Sequence, residues 1–290
     1  MSDTPQPSSH ADAFEFVKNL ALELSTGKVD LPAFPDVAVR VRQVLADENV
    51  TPQKIELVVS TEAALAGKLL MIANSAALNP AGPRITSVKA AVTRMGFNMV
   101  RSASLAFAME QIRKAAQLVS IREQMNALWE RSVLLAALSY VIARRCTQVN
   151  PDTALLAGLL HGVGKLYILT RAAKQPTLWN DPATYNQIVA DWHANISKAI
   201  LENWEIGDKV VEAVADYENL ARAHVGFADL TDVLSVANLL ADLGHDPASM
   251  AALIEGTKVF DRMHLDAAGV QKLLVESEKE VTSFRAALGS

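Results

Sequence analysis

The sequence predicts an all-α fold, on three observations. The chain is half hydrophobic and only 6% aromatic; alanine and leucine dominate and β-branched runs are short, a balance that favours helix. Apolar residues recur at helical spacing, most plainly Leu65, Leu69, Ile72 and Ala76, at i, i+4, i+7 and i+11. Proline next to a polar capping residue marks where such stretches begin, at Thr51-Pro52 and at Asn150-Pro151.

Taken in order, residues 1–10 hold Pro, Ser and Gln and read as a mobile tail. Phe14, Val17, Leu20, Ala21 and Leu24 place a helix over 11–26, with Gly27 as its stop. Two prolines in Leu31-Pro32-Ala33-Phe34-Pro35 force an extended approach to a helix carrying Val37, Val41, Val44 and Leu45. After Thr51-Pro52, Ile55, Val58 and Val59 give an apolar face, followed by the Leu65–Ala76 stripe. Asn79-Pro80-Ala81-Gly82-Pro83 is a loop. A short helix over 87–95 closes at Gly96, and Leu105, Ala108, Met109 and Ile112 mark another running to about 115.

A second block opens near 121. Leu128 and Trp129 begin a long helix to about Arg145, and Asn150-Pro151-Asp152 caps the helix that carries His161. Residues 174–182 read as a loop. Helices follow near 183–191, 194–203, 207–221 and 229–243; Asp246-Pro247 interrupts, and 248–256 and 266–287 complete the chain. The last is amphipathic, with Val270, Leu273, Leu274 and Val281 among Gln271, Lys272, Glu276, Glu278 and Lys279; intramolecular packing is its expected role, with a dimer or partner helix as the other reading.

With 290 residues the chain is long enough for a substantial core. A net charge of −5 argues against nucleic acid as a partner, because phosphate contacts need clustered Lys and Arg and the pair Arg144-Arg145 is too short. Cys146 is the single cysteine, so no intramolecular disulfide can form, and no activating base stands beside it in sequence. The N-terminus lacks a basic-then-apolar pattern, and no uninterrupted apolar run reaches the ~18 residues of a spanning helix. A cytoplasmic protein with no membrane partner is the expectation.

Four stretches carry a family resemblance. They are Leu31 to Ala38; Leu69-Leu70-Met71-Ile72-Ala73-Asn74-Ser75-Ala76; Arg84 to Ala91; and Arg94-Met95-Gly96. In that order and spacing they resemble the HDOD domain, the HD-related output domain of bacterial signalling proteins. The resemblance covers about residues 29–245. It implies two packed helical lobes, 29–120 and 121–245, the second resembling a degenerate HD phosphohydrolase domain. Residues 1–28 then form an N-terminal tail and helix, and 246–290 a C-terminal helical extension.

Ala157 through Tyr167 resembles the metal-binding helix of HD phosphohydrolases with its carboxylate missing: His161 stands at the His position and Gly162 at the Asp position. The resemblance places Arg131 where a first metal-binding His would stand. It places His193 at a later His, Tyr217-Glu218 at a His-His pair, and Asn238 at a last Asp. Glycine offers a metal no donor, and a dinuclear centre needs about twice the surviving ligands. At about 5 Å and an effective dielectric near 20, Arg131 would repel a dication by roughly 6–7 kcal/mol. The expectation is therefore no catalytic residue, no metal and no cofactor.

Each residue has a plainer reading. His161 is expected as a core histidine satisfied by local partners rather than a vestigial ligand, and Lys165 as a rim lysine rather than a phosphate contact. Gly158, Gly162 and Gly164 are expected to serve close helix packing. Asn74 and Ser75 stand near the end of an apolar helix; tying down the following loop is favoured over contact with a partner or ligand. Trp192, Trp204 and Tyr217 line a pocket or, on the plainer reading, belong to the core.

The resemblance implies a non-catalytic regulatory protein that binds a signalling partner, with GGDEF or EAL proteins of cyclic-dinucleotide signalling as candidates. Any input would arrive through a partner. The alternatives are a residual metal-dependent phosphohydrolase using His161, His193 and Asp191 or Glu218, and a nucleotide sensor offering Arg131, Lys165 and His193 to a phosphate. Oligomeric state stays open.

Overall fold

A computed structural model describes residues 7–26, 36–47, 49–114, 120–223, 225–243, 247–255 and 257–289. Among the described residues the regular elements are helices, and no strand is present. The fold is all-α. The extended approach at 31–35, the stop at Gly27 and the break at Asp246 lie outside the described residues, as does most of the tail.

The first lobe holds α2 (Asp36–Leu45), α3 (Pro52–Val59), α4 (Ala63–Ala73) and α5 (Val88–Lys114). Thr51 caps α3, its hydroxyl accepting from Lys54 N–H with Pro52 in the first turn, an arrangement worth about 1 kcal/mol. α5 packs on α2, α3 and α4. At Gly96 (φ 73°, ψ 168°) its backbone leaves helical geometry, a conformation that favours glycine. Gly96 thus closes the short helix as expected and a second helix follows directly, so α5 is two helices meeting at a kink.

The second lobe holds α6 (Arg122–Cys146), α7 (Pro151–Leu160), α8 (Val163–Ala172), the one-turn α9 (Pro176–Trp179), α10 (Pro182–Asn203), α11 (Asp208–Asp216) and α12 (Leu230–Leu243). Asn150 caps α7, Oδ1 accepting from Thr153 N–H at 3.0 Å. Three expectations are corrected here. The helix expected to carry His161 and Lys165 breaks at His161-Gly162 into α7 and α8, and the turn lets α8 pack along α10. The helices expected near 183–191 and 194–203 are one, α10, because nothing in Asp191-Trp192-His193 interrupts it. The loop expected over 174–182 contains α9.

α1 (Pro7–Thr26) lies on α9 and α10 of the second lobe, where Glu23 hydrogen-bonds Tyr167 and pairs with Arg171. After α13 (Pro247–Glu255) and α14 (Val259–Arg262) comes α15 (Ala267–Leu288), which packs on α6 and also on α4 and α5, so it straps the lobes together. Its end is held by Trp129, whose indole N–H donates to Gly289 O at 3.0 Å, and by Lys68, whose ammonium donates to Leu288 O at 3.0 Å and pairs with Glu110. One hydrophobic cluster runs through both lobes and α15. Among the described residues, Pro151–Ala172 is apolar and long enough to cross a membrane; its apolar window is 89% buried inside the fold. That surface is already spent on the core.

Candidate functional site

Six segments of the second lobe meet at one cluster. α6 brings Arg131, the α7–α8 turn His161 and Gly162, α8 Lys165, α10 His193, the end of α11 Tyr217 and Glu218, and α12 Asn238 and Asp242. The glycines permit this approach. A Cβ on Gly158 would meet the Ala136 backbone at 2.5 Å, and one on Gly164 would meet His193 O at 2.1 Å. Gly162 is looser, with only Ser132 Oγ at 3.3 Å, so the packing role expected of all three belongs to Gly158 and Gly164.

His161 is buried, its Nδ1–H donating to Gly158 O at 2.7 Å, with its ring edge-to-face on Tyr217 at 5.7 Å. Burial pushes its pKa down to about 3, and the charges of Lys165 and Arg131 act the same way. It is a neutral, locally satisfied imidazole. Glu218 is the hub: Oε1 accepts from Lys165 Nζ at 2.8 Å and from Tyr217 OH at 2.7 Å, and Oε2 accepts from His193 Nε2 at 3.0 Å. The His193 hydrogen bond holds the Glu218 carboxyl well below the usual range, aided by Lys165 and Tyr217 and opposed by burial. His193 Nδ1 is buried without a partner among the described residues.

Arg131 forks in the other direction. Nη1 donates to Asp242 Oδ1 at 2.6 Å and Nη2 to Asn238 Oδ1 at 2.7 Å. Lys165, expected as a rim lysine, is instead a half-buried ion-pair partner of Glu218, because the Tyr217 ring and the carboxylate together receive its ammonium. Asp242 was not foreseen; its signal is position i+4 from Asn238 on the same face of α12.

Asn74 and Ser75 lie apart from this cluster, in the first lobe. Asn74 Nδ2 donates to Ile85 O and Asn74 Oδ1 accepts from Ile85 N–H, both at 2.8 Å, so the carboxamide ties down the loop. Trp192 and Trp204 pack against the core and Tyr217 is buried. Burial pushes the half-buried Cys146 thiol up, against the pull of Arg145.

A model of the HDOD domain matches residues 31–220, about two thirds of the chain. The chain belongs to the HDOD family. An uncharacterized protein of Treponema pallidum (strain Nichols) is 21% identical over 247 residues, which are 77% of this chain and 46% of that protein; the alignment thus spans about half of that relative. Among solved structures, a Shewanella amazonensis SB2B protein provisionally named a metal-dependent phosphohydrolase superposes with a TM-score of 0.78 at 23% identity, covering 96% of this chain and 99% of that one. An HDOD domain protein of unknown function from Geobacter sulfurreducens gives 0.63 at 20%, covering 93% and 96%. A protein from Marinobacter aquaeolei VT8 provisionally named a signal transduction protein gives 0.60 at 17%, covering 99% and 68%. These likenesses show the fold.

A divalent metal of the HD kind does not fit the residues this HDOD chain places here. Among the described residues, no three His, Cys, Asp or Glu side chains are grouped to hold a metal ion. Two cations, Arg131 and Lys165, occupy the cluster, and Glu218 and Asp242 are committed to them. Gly162 contributes no donor.

Proposed function

We propose that the chain is a non-catalytic regulatory protein of bacterial signalling that works by holding a protein partner. The observation that carries the reading is the arrangement around Glu218 and Arg131. At the positions where the resemblance puts metal ligands, side chains bond one another and close a salt-linked knot between α6, α8, α10, α11 and α12. Such a knot stiffens the lobe and leaves no open coordination position for a reacting water. Family membership supports a signalling role, as does the Marinobacter neighbour's name. The partner class that the resemblance implies is a GGDEF or EAL protein, met in the cytoplasm.

Phosphate binding in the same cluster has less support, because an incoming anion would first have to displace Glu218 from Lys165 and Asp242 from Arg131. The test is elemental mass spectrometry of the protein purified after growth with added iron, manganese and zinc, followed by phosphodiesterase assays. The expected result is far less than one metal per chain and no hydrolysis. One metal or more per chain, with turnover, overturns the reading.

A further inference from the structure

Between α4, the 79–86 loop and α15 lies an open groove of about 1000 Å³, well removed in sequence from the Glu218 cluster. Its apolar side includes Leu70, Met71 and Ala287, with Met71 56% exposed. Its polar side includes Ser75, Arg84 and Ser283. Ser75 is 4% exposed, and its Oγ is buried with no hydrogen-bond partner among the described residues. Buried hydroxyls seldom stay unbonded. Arg84 is exposed and makes no hydrogen bond or ion pair among the described residues. Among the described residues, no carboxylate lines the groove. Just beyond Thr86, α5 opens with Val88-Lys89 and has no acidic residue in its first turn; the neutral Ser87 hydroxyl caps it, accepting from Ala90 N–H at 3.2 Å, so the end keeps its positive character.

The walls are fixed in advance. Asn74 clamps Ile85 at two points, Asn79 Nδ2 donates to Pro83 O at 2.9 Å, and Ser283 Oγ accepts from Ala76 N–H at 2.8 Å, joining α15 to the end of α4. A groove already in its binding shape loses little entropy when filled.

We infer that this groove docks an acidic peptide segment of a partner protein, with a carboxylate at Arg84 and an aliphatic side chain against Leu70 and Met71. The inference rests on the reading that the chain holds a protein partner. Charge selects the occupant: among the described residues the lining carries a cation and no anion, and the apolar wall beside it gives an inorganic anion nothing to bury. Since α15 also packs on α6, a segment seated here touches the helix that joins the lobes.

Peptides selected from a random display library on the full chain are the probe. Selected sequences are expected to pair Asp or Glu with Leu, Ile or Met. Arg84→Glu should weaken their binding about tenfold or more, the loss of a charge-assisted hydrogen bond. Gly67→Leu should block them, because Gly67 lines the groove at a point where an added Cβ meets nothing within 4 Å. Leucine is also the better helix former, so this variant should keep its melting temperature. The assignment is overturned if nothing is selected, if selected peptides lack acids, or if they bind both variants as they bind the parent. Metal content separates the two readings: a metal-loaded, hydrolytic chain that still binds such peptides defeats the proposed function and leaves the groove, whereas a metal-free chain with a silent groove does the reverse.

Discussion

His193 and Glu218 share a 3.0 Å hydrogen bond, Nε2 to Oε2, that ties the middle of α10 to the end of α11. Because the second carboxylate oxygen takes Lys165 and Tyr217, one side chain joins α8, α10 and α11. Such a group costs little at neutral pH and becomes a weakness in acid, when its charge is removed.

Two acid transitions should therefore be separable. His161 has a folded pKa of about 3 against an ordinary 6.5. As pH falls below about 6.5 the unfolded chain takes a proton that the folded chain refuses, and stability drops by up to about 1.4 kcal/mol per pH unit until the folded pKa is reached. Glu218 has its carboxyl lowered from 4.5; its contribution is complete above about 4.5 and is lost as pH falls toward the folded value. With Glu218 nearly half exposed, its share is the smaller one. Urea unfolding from pH 7 to pH 4 should show His161→Gln losing the slope between 6.5 and 4.5. Glu218→Gln should keep that slope and flatten only below 4.5. A His161→Gln protein as acid-sensitive as the parent would contradict the buried neutral imidazole.

The three glycines around the α7–α8 turn should differ sharply. Gly162→Ala has φ −89° and meets only a side-chain hydroxyl at 3.3 Å, so a change within about 1 kcal/mol is expected. Gly158→Ala and Gly164→Ala would drive a methyl into backbone at 2.5 and 2.1 Å, and about 1–3 kcal/mol or more of overpacking cost is expected. Equal denaturation midpoints for the three variants would refute this ranking.

The helices and the family were legible because both depend on local pattern. Leu65, Leu69 and Ile72 and the Asn150 cap set their elements without help from distant residues, although α4 ends at Ala73 and leaves Ala76 beyond it, half-buried. The knot around Glu218 was not legible, because its bonds span wide separations in sequence: Lys165 to Glu218, and Arg131 to Asn238 and Asp242. Periodicity shows which face of a helix is polar but not which distant carboxylate will receive a lysine. That is why Lys165 read as a rim residue and Asp242 was passed over. The break at His161-Gly162 escaped for a related reason: α7 and α8 are both apolar, and only the close approach of α8 to His193 O and Ser197 shows that the chain must turn.

Asn74 gives a test of local order in the first lobe. Its carboxamide matches the donor and acceptor of Ile85 with two 2.8 Å bonds, as a paired backbone would. Asn74→Ala should cost about 1–3 kcal/mol, since the Ile85 amide loses its partner in a half-buried place. Hydrogen exchange at Ile85 N–H should then accelerate while amides of α6 stay protected. Unchanged exchange at Ile85 would show that the loop is held by something else.

Asp232 stands at the start of α12. It is 1% exposed and receives Arg262 through Nε at 3.0 Å and Nη2 at 2.6 Å, and Arg222 through Nη2 at 3.0 Å. Asp232 Oδ2 also accepts from Asp229 N–H at 3.2 Å, while Asp229 Oδ1 accepts from Asp232 N–H at 3.0 Å, a reciprocal cap on the helix. Removing the carboxylate leaves two guanidinium groups without this partner in a largely buried place, so Asp232→Ala should cost about 3–5 kcal/mol. Asp232→Asn keeps an acceptor and loses the charge, so its cost should be smaller. Arg262→Met removes the side chain that ties α14 to α12, and it should speed hydrogen exchange in α14 before it lowers the global midpoint. If Asp232→Ala unfolds within about 1 kcal/mol of the parent, the charges around it are solvated more freely than their burial implies, and α14 is held by the packing of Val259, Phe260 and Met263.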